Sequence, residues 1–362
     1  MAYEVLNNSL HIMVFRRNKQ PKREMALGID LGSSQIKAVV VRQHRERPEL
    51  VECCVRPLPP ELAKSYKQPE FAAEIQQLVG ELKTSERHAF VTISCSSAMV
   101  CQTEFPPVPL TEIKSALKLN SSGYLRRDFS SYYLDVFELQ KGNEARKGKE
   151  AAKTKVLVGG ATKEEVDDLR EALVVAKIRP EVIELAAISV INAFQVSNPG
   201  IKDEVIVLVD IGARMTSINF LLEGMPLITR IMHFGGSQLS DYISQILLLQ
   251  PHEAEEEKRK MSEPIQKLVK TAISPLAREI RSSIDFFERQ NERHVRQIFA
   301  CGGSACSPVM LAVLGESVGA QIECWNPIQN LDISRLNGQK EQVLALGPTL
   351  AAAVGVATAR LT

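Results

Sequence analysis

The chain has 362 residues, of which 44% are hydrophobic and 24% are charged, with a formal net charge of +1. At on the order of 100–200 residues per domain, this length predicts two or more domains, and the near-neutral charge argues against nucleic acid as a partner. No run of about 18 apolar residues stands out, which argues against a direct membrane span.

The N-terminal segment, residues 1–24, carries a short apolar stretch followed by the basic run RRNKQPKR. We interpret it as a loosely held extension, with a membrane-touching anchor as the alternative. Alternating apolar residues then predict a strand at about 26–30, a hairpin partner at about 36–43 and a third strand at 49–58. Helical spacing predicts a helix over 68–83, and a strand follows at 88–96.

A small α+β stretch occupies about 99–180. Its pattern predicts a helix near 110–119, strands at 131–139 and 155–161, and a helix at 163–176. Residues 141–153 have no apolar face, so we expect a solvated loop, with a functional basic contact as the alternative.

The rest of the chain begins with the apolar run 203–212, typical of a strand covered on both faces. A second hairpin follows it, and 251–261 is a charged, mostly helical surface. An amphipathic helix is predicted over 276–290, then a strand at 295–303 and a helix at 307–319. The chain stops at LAAAVGVATARLT, which has the composition of a core helix.

Two segments share one plan: LGIDLGSSQIKAVVV and VLVDIGARMTSINFL each run from an apolar strand through Asp-X-Gly into a second strand. Glycine allows close backbone approach to a phosphate, and Ser33, Ser34 and Lys37 add donors and a positive charge. Asp30 and Asp210 offer hard oxygen to Mg²⁺, through water. The two copies together predict a clamp that holds a triphosphate between two parts of the chain.

A third element, Gly302-Gly303, ends a predicted strand and begins a helix, which suits the floor of a purine and ribose site. Upstream, Glu279, Ser282 and Ser283 are expected on a helix from which they would reach the ribose hydroxyls or the base.

In this order, Asp30-Leu31-Gly32, Asp210-Ile211-Gly212 and Gly302-Gly303 resemble the phosphate and adenosine motifs of the actin-like ATPase superfamily. GIDLGSSQIKAVVV, FGGSQLSDYI, AREIRSSIDFFERQ and FACGGSACSPVMLAVLGESVGAQIECWNP resemble more closely the PilM family of type IV pilus assembly. The resemblance implies an α/β, actin-like ATPase fold with two RNase H-like domains. These would span 25–200, with a small α+β subdomain inserted at about 99–180, and 201–362.

The resemblance also implies ATP or ADP as cofactor, with Mg²⁺ near Asp30 and Asp210. The implied cofactor-binding residues are Asp30, Gly32, Ser33, Ser34, Lys37, Asp210, Gly212, Ala213, Arg214, Thr216, Gly235, Gly236, Glu279, Ser282, Ser283, Gly302 and Gly303. The implied partner is the N-terminal cytoplasmic peptide of a PilN-like inner-membrane protein. This makes the protein cytoplasmic and peripherally associated with the inner membrane through partners. Contacts with other pilus motor or platform proteins, and self-association, stay open.

Two departures from the family pattern bear on chemistry. The second phosphate turn reads Arg214-Met215, and Arg214 would either pair with a phosphate or point to solvent. Ala186-Ala187 stands where many actin-like ATPases have Glu-Pro, and alanine cannot accept or orient a proton. Glu184 and Asp210 are the remaining weak catalytic candidates. We therefore expect nucleotide binding with slow or absent ATP hydrolysis.

Two alternatives belong to the same superfamily. An FtsA-like filament-forming tether of cell division would end in a basic amphipathic helix, which this sequence lacks at its end. A small-molecule kinase would need a catalytic aspartate facing an acceptor hydroxyl, and no further motif nominates one.

Overall fold

The computed structural model describes residues 24–44, 47–142, 152–198, 200–201, 204–336 and 338–361. The N-terminal extension, apart from Glu24, and most of the predicted loop 141–153 lie outside these residues. The strands are β1 (Met25–Leu31), β2 (Gln35–His44), β3 (Arg47–Pro57), β4 (His88–Ile93), β5 (Met99–Phe105), β6 (Tyr132–Gln140), β7 (Thr154–Thr162), β8 (Arg179–Leu185), β9 (Val205–Ile211), β10 (Thr216–Leu222), β11 (Met225–Met232), β12 (Val295–Cys301) and β13 (Ile322–Cys324).

The helices follow the predicted periodicity at most of the predicted places. They are α1 (Pro69–Gly80), α2 (Leu110–Leu119), α3 (Ser121–Leu125), α4 (Lys163–Val175), α5 (Ala186–Ser197), α6 (Gly236–Leu247), α7 (Pro251–Lys260), α8 (Glu263–Ala272), α9 (Ser274–Asn291), α10 (Pro308–Val318), α11 (Lys340–Leu346) and α12 (Ala351–Thr358).

Two five-stranded sheets share one topology. The first has the order β3-β2-β1-β4-β8 and the second β11-β10-β9-β12-β13. In each sheet the first three strands form an antiparallel meander, and the last two join in parallel. The chain therefore folds into two equivalent halves, which we call the first and second half after their sheets.

The sheets alternate with helices in five layers. Helices α1 and α4 cover the outer face of the first sheet, α5 and α12 lie between the two sheets, and α8–α10 cover the second sheet. The strand period of two explains this arrangement: in β9, Val205, Val207 and Val209 join the outer core, while Ile206 and Leu208 face α5 and α12. Asp210 continues the inward-facing set.

The insertion is a three-stranded sheet, β5-β7-β6, with α2 and α3. It has its own small core, which includes Phe105, Ile113 and Val158. The predicted insertion extends to about residue 180, but the buried face of α4 packs in the first core, against α1 and β8. By packing, the insertion therefore ends near Thr162.

The end of the chain returns to the first half, although the predicted boundary assigns 201–362 to the second. Helix α12 packs on β1 and α5, and a Cβ at Gly28 would lie 2.4 Å from the carbonyl oxygen of Ala353. Among the described residues, Lys340–Thr358 has the length and mean hydropathy of a membrane span, although charged and polar residues interrupt it. Its most apolar window is 67% buried within the fold, as in a core helix.

Candidate functional site

The two Asp-X-Gly hairpins meet at one cavity of about 250 Å³, which we call the central cleft. Asp30 lies opposite Lys37 in the β1–β2 pair, and Asp210 lies opposite Ser217 in the β9–β10 pair. Both aspartates occupy the inward faces of their sheets at the strand ends, so the two halves present them to the same space. The predicted residues that line the cleft are Asp30, Gly32, Ser33, Ser34, Lys37, Asp210, Gly212, Ala213, Gly236, Gly302 and Gly303.

The first turn combines a charge pair with a tight bend. The ammonium of Lys37 donates to the Asp30 carboxylate at 2.8 Å, and both side chains are largely buried. A Cβ at Gly32 would lie 2.7 Å from the carbonyl oxygen of Gln35, so only glycine fits this bend.

The second turn rests on the N-terminus of α6. The amides of Gly236 and Ser237 donate to the carbonyl oxygens of Gly212 and Ala213, at 2.9 and 2.8 Å. A Cβ at Gly235 would lie 2.4 Å from the Gly212 carbonyl oxygen. Gly235 does not line the cleft, but its missing side chain allows α6 to support the turn that does.

Asp210 carries the clearest electrostatic signature of the cleft. Burial, and then repulsion from Asp30, raise the pKa of Asp210 to about 6, while Lys37 and a hydrogen bond from Cys301 act in the opposite direction. The Cys301 thiol lies 3.8 Å from the carboxylate, and burial holds the pKa of that thiol well above its usual value. A cation between the aspartates would relieve this repulsion.

The cleft does not supply a complete metal site from protein atoms. Within the described residues, no group of three or more His, Cys, Asp or Glu side chains is arranged to hold a metal ion. Two carboxylates alone suit Mg²⁺, which retains water and completes its shell with phosphate oxygens.

The glycine pair after β12 forms a third wall. Gly302 has a φ of 90°, and a Cβ there would lie 2.5 Å from the Ile211 carbonyl oxygen. Its amide donates to the Pro348 carbonyl oxygen at 2.8 Å. Gly303 is open by contrast, with no atom within 4 Å of an added Cβ.

The fourth wall is helix α7, which the sequence pattern indicated only as a charged surface. Glu255, Lys258 and Arg259 line the cleft from this helix. The ammonium of Lys258 donates to the Gly236 carbonyl oxygen at 3.0 Å and to Glu255 at 2.6 Å. The sequence offered only the run of charged residues on this helix as a signal, and their hydrogen bonds could not be read from it.

The side chains of α9 from which we expected ribose contacts do not line the central cleft. Glu279 pairs with Arg230 on β11 at 2.6 Å, Ser282 is exposed, and Ser283 is buried. None of these three belongs to the described lining of the cleft. Helix α7, two helices earlier in the chain than α9, lines the cleft instead.

Thr216 and Glu184 are also structural in this arrangement. The Thr216 hydroxyl is buried and donates to the Phe234 carbonyl oxygen at 2.7 Å. Glu184 is fully buried, accepts hydrogen bonds from Ser189 and Asn192 at 2.7 and 3.0 Å, and lies 3.6 Å from Arg360. Burial raises the pKa of Glu184 to about 7. It does not line the cleft, so it cannot act there directly.

Arg214 takes neither orientation expected from the sequence. Its guanidinium crosses to the first half and donates to the carbonyl oxygens of Ala63 and Pro60, at 3.0 and 3.4 Å. It therefore pairs with backbone rather than facing the phosphate space or pointing freely to solvent.

Ala186 lines the cleft at the start of α5, and Ala187 lines a small adjoining cavity. Neither side chain can accept a proton from an attacking water.

A second depression of about 800 Å³, which we call the polar groove, borders the central cleft. The two share Ser33, Ser94, Met215 and Ser237. First-half walls come from 63–67, 94–97 and 162–168, and the second-half wall includes Arg214, His233 and Asp241. Since both halves line it, its width depends on how far they close.

Comparison with known proteins agrees with this geometry. The chain is similar to a solved PilM-PilN type IV pilus biogenesis complex, with 26% identity, a TM-score of 0.83, and coverage of 94% of this chain and 100% of that chain. It is also similar in fold to the ethanolamine utilization protein EutJ from Carboxydothermus hydrogenoformans, with 16% identity, a TM-score of 0.55, and coverage of 96% and 92%.

These matches confirm the expected actin-like ATPase fold. The family model for type IV pilus assembly protein PilM matches residues 28–361. Neither the family match nor these structural matches favour the FtsA-like tether or the small-molecule kinase. The chain therefore belongs to the PilM family of type IV pilus assembly proteins.

Proposed function

We propose that this protein is a nucleotide-binding adaptor of type IV pilus assembly, which recruits the N-terminal cytoplasmic peptide of a PilN-like inner-membrane protein. The observation that carries the nucleotide part is the convergence of both Asp-X-Gly turns on one cleft. The adaptor part is supported by the likeness to the PilM-PilN complex along the full length of that chain. We expect a cytoplasmic protein that reaches the inner membrane through this partner.

The residues of the cleft fit ATP or ADP with Mg²⁺. Gly32 and Gly212 open the two turns to phosphate oxygens, and Lys37 lies at the first turn. Asp30 and Asp210 would hold the hydrated metal, whose charge offsets that of the phosphates. The glycine pair and α7 enclose the remaining end of the cleft, where the base and ribose would lie.

We place the peptide site in the polar groove, which shares lining residues with the central cleft. The polar groove borders the cleft at Ser33 and Met215 and is lined by both halves. Closure of the halves on a nucleotide therefore changes the groove, and we propose that it tightens the binding of the partner peptide. Linkage requires that the peptide tighten nucleotide binding by the same factor, typically about 5–150-fold.

Calorimetry with a synthetic peptide of the PilN-like cytoplasmic segment tests this function. Peptide affinity should be higher in the presence of Mg·ATP or Mg·ADP than in its absence. Asp210→Ala should weaken nucleotide binding and abolish the difference, while peptide affinity of the nucleotide-free protein stays unchanged. Equal peptide affinity of the wild type with and without nucleotide would contradict the gating. Absence of peptide binding would contradict the adaptor role.

A further inference from the structure

The loop from Leu58 to Lys67 is tied to both phosphate-side turns. At its start, the Leu58 amide donates to the carbonyl oxygen of Ser34, in the first turn, at 2.8 Å. Further along, its carbonyl oxygens at Pro60 and Ala63 accept from Arg214, in the second turn. Among the hydrogen bonds described for this loop, the Leu58 bond links it to the first turn and the two Arg214 bonds link it to the second.

The same loop forms one wall of the polar groove. Residues 63–67 line it, and the Lys67 ammonium lies 3.3 Å from both Glu164 and Asp168 on α4. The loop thus connects the two turns at one end with helix α4, which follows the insertion, at the other.

Arginine is suited to this position. Its planar guanidinium can donate to two carbonyl oxygens at once, whereas a lysine ammonium is a point charge on a flexible stem. The turn that carries Arg214 is itself held against α6 by the Gly212 and Ala213 carbonyl oxygens, so the side chain moves with the second half.

We infer that Arg214 is a strap between the halves: its guanidinium holds the second turn on the loop 58–67, and closure of the central cleft on a nucleotide strengthens this contact and so fixes that wall of the polar groove. The inference rests on the proposed function for its biological role, because the loop would pass the nucleotide state to the peptide site. Arg214 is a positioning residue in this scheme and contacts neither phosphate nor metal.

Hydrogen exchange measured by mass spectrometry tests the strap, with and without Mg·ADP. In the wild type, Mg·ADP should slow exchange of residues 58–67 by about fivefold or more, matching the lower end of usual couplings. In Arg214→Ala this slowing should be lost, while the affinity for Mg·ADP falls by no more than the same factor, as linkage requires. Arg214→Lys should retain part of it.

Arg230→Ala is the matched control, since Arg230 pairs with Glu279 inside the second half. It should leave exchange of 58–67 unchanged. Equal protection of the loop in wild type and Arg214→Ala would overturn the strap. Absence of any protection at 31–35 and 211–215 in the wild type would instead contradict nucleotide binding. In that case exchange of residues 58–67 is compared between ligand-free wild type and ligand-free Arg214→Ala. Equal exchange in these two proteins would by itself overturn the strap.

Discussion

Asp210 is a residue whose charge destabilises the ligand-free protein. Its pKa is raised to about 6 by burial and by Asp30, so between about pH 4 and pH 6 the folded state holds a proton that the unfolded state has already released. The associated stability is present below the ordinary pKa of an aspartate and is lost as pH rises through 6. A carboxylate kept ionised at neutral pH in this setting is typical of a binding site.

Asp210→Asn should therefore raise the free energy of unfolding of the ligand-free protein at pH 7.5, by on the order of 1–3 kcal/mol. The gain should shrink as pH falls through about 6 and disappear below about pH 4, the ordinary range of an aspartate. Affinity for Mg·ATP should fall at least about tenfold, because the metal-side charge is gone. Urea unfolding across pH and calorimetry measure both effects. Asp285→Asn, on α9 and outside both the cleft and the polar groove, is the control. A loss of stability in Asp210→Asn at pH 7.5 would contradict the account.

Glu184 gives a second pH prediction, away from the cleft. Its pKa is raised to about 7, so stability falls as pH rises from about 4.5 through 7. Glu184→Gln should flatten this fall by on the order of 2–3 kcal/mol, with nucleotide affinity unchanged since the side chain does not line the cleft. A parallel pH profile in both proteins would show that burial does not govern this carboxyl.

At the scale of elements, the turn after β12 offers a matched pair of glycines. Gly302→Ala would bring a Cβ against the Ile211 carbonyl oxygen and force a φ of 90° on alanine. It should lower the free energy of unfolding by about 1–3 kcal/mol and weaken Mg·ADP binding. Gly303→Ala meets no atom within 4 Å and should be nearly neutral in stability. Similar losses in both variants would mean that the turn is not constrained at Gly302.

The alanine at the start of α5 predicts slow ATP hydrolysis. Because Ala186 lines the cleft and cannot accept a proton, purified protein should hydrolyse ATP more slowly than about one per second, near the lower end of ordinary enzyme rates. A phosphate-release assay in excess Mg·ATP measures this. Faster turnover by the protein alone would point to a base supplied by another residue.

The elements that the sequence predicted best are those with local signatures. The hairpins at Asp30 and Asp210 combine a period of two with a glycine turn, and both formed where expected. Helix α7 was missed as a wall because its neighbour in the cleft, the turn at Gly302, is distant in sequence. Arg214 could not be oriented for the same reason: its partners Ala63 and Pro60 belong to the other half.

At the scale of the whole molecule, the two halves share their middle layer. Helix α5 contacts strands of both sheets, and inward residues of β9 join the core of the first half. We therefore expect one cooperative unfolding transition rather than two. Mg·ADP should shift the whole transition, by about 2.7 kcal/mol at a hundredfold excess over its dissociation constant. Two separate calorimetric peaks, with only one moved by ligand, would contradict this shared core.

The return of α12 to the first half bears on how the protein is made. The inner face of β1, with Gly28 in contact with Ala353, stays uncovered until α12 has left the ribosome. During synthesis the first sheet is thus exposed to solvent while the second half is already emerging. The newly made chain has to keep this apolar surface from other chains until α12 packs on it. A chain truncated before α12 would keep α5 between its sheets but leave the inner face of β1 exposed, and we expect such a chain to aggregate or be degraded.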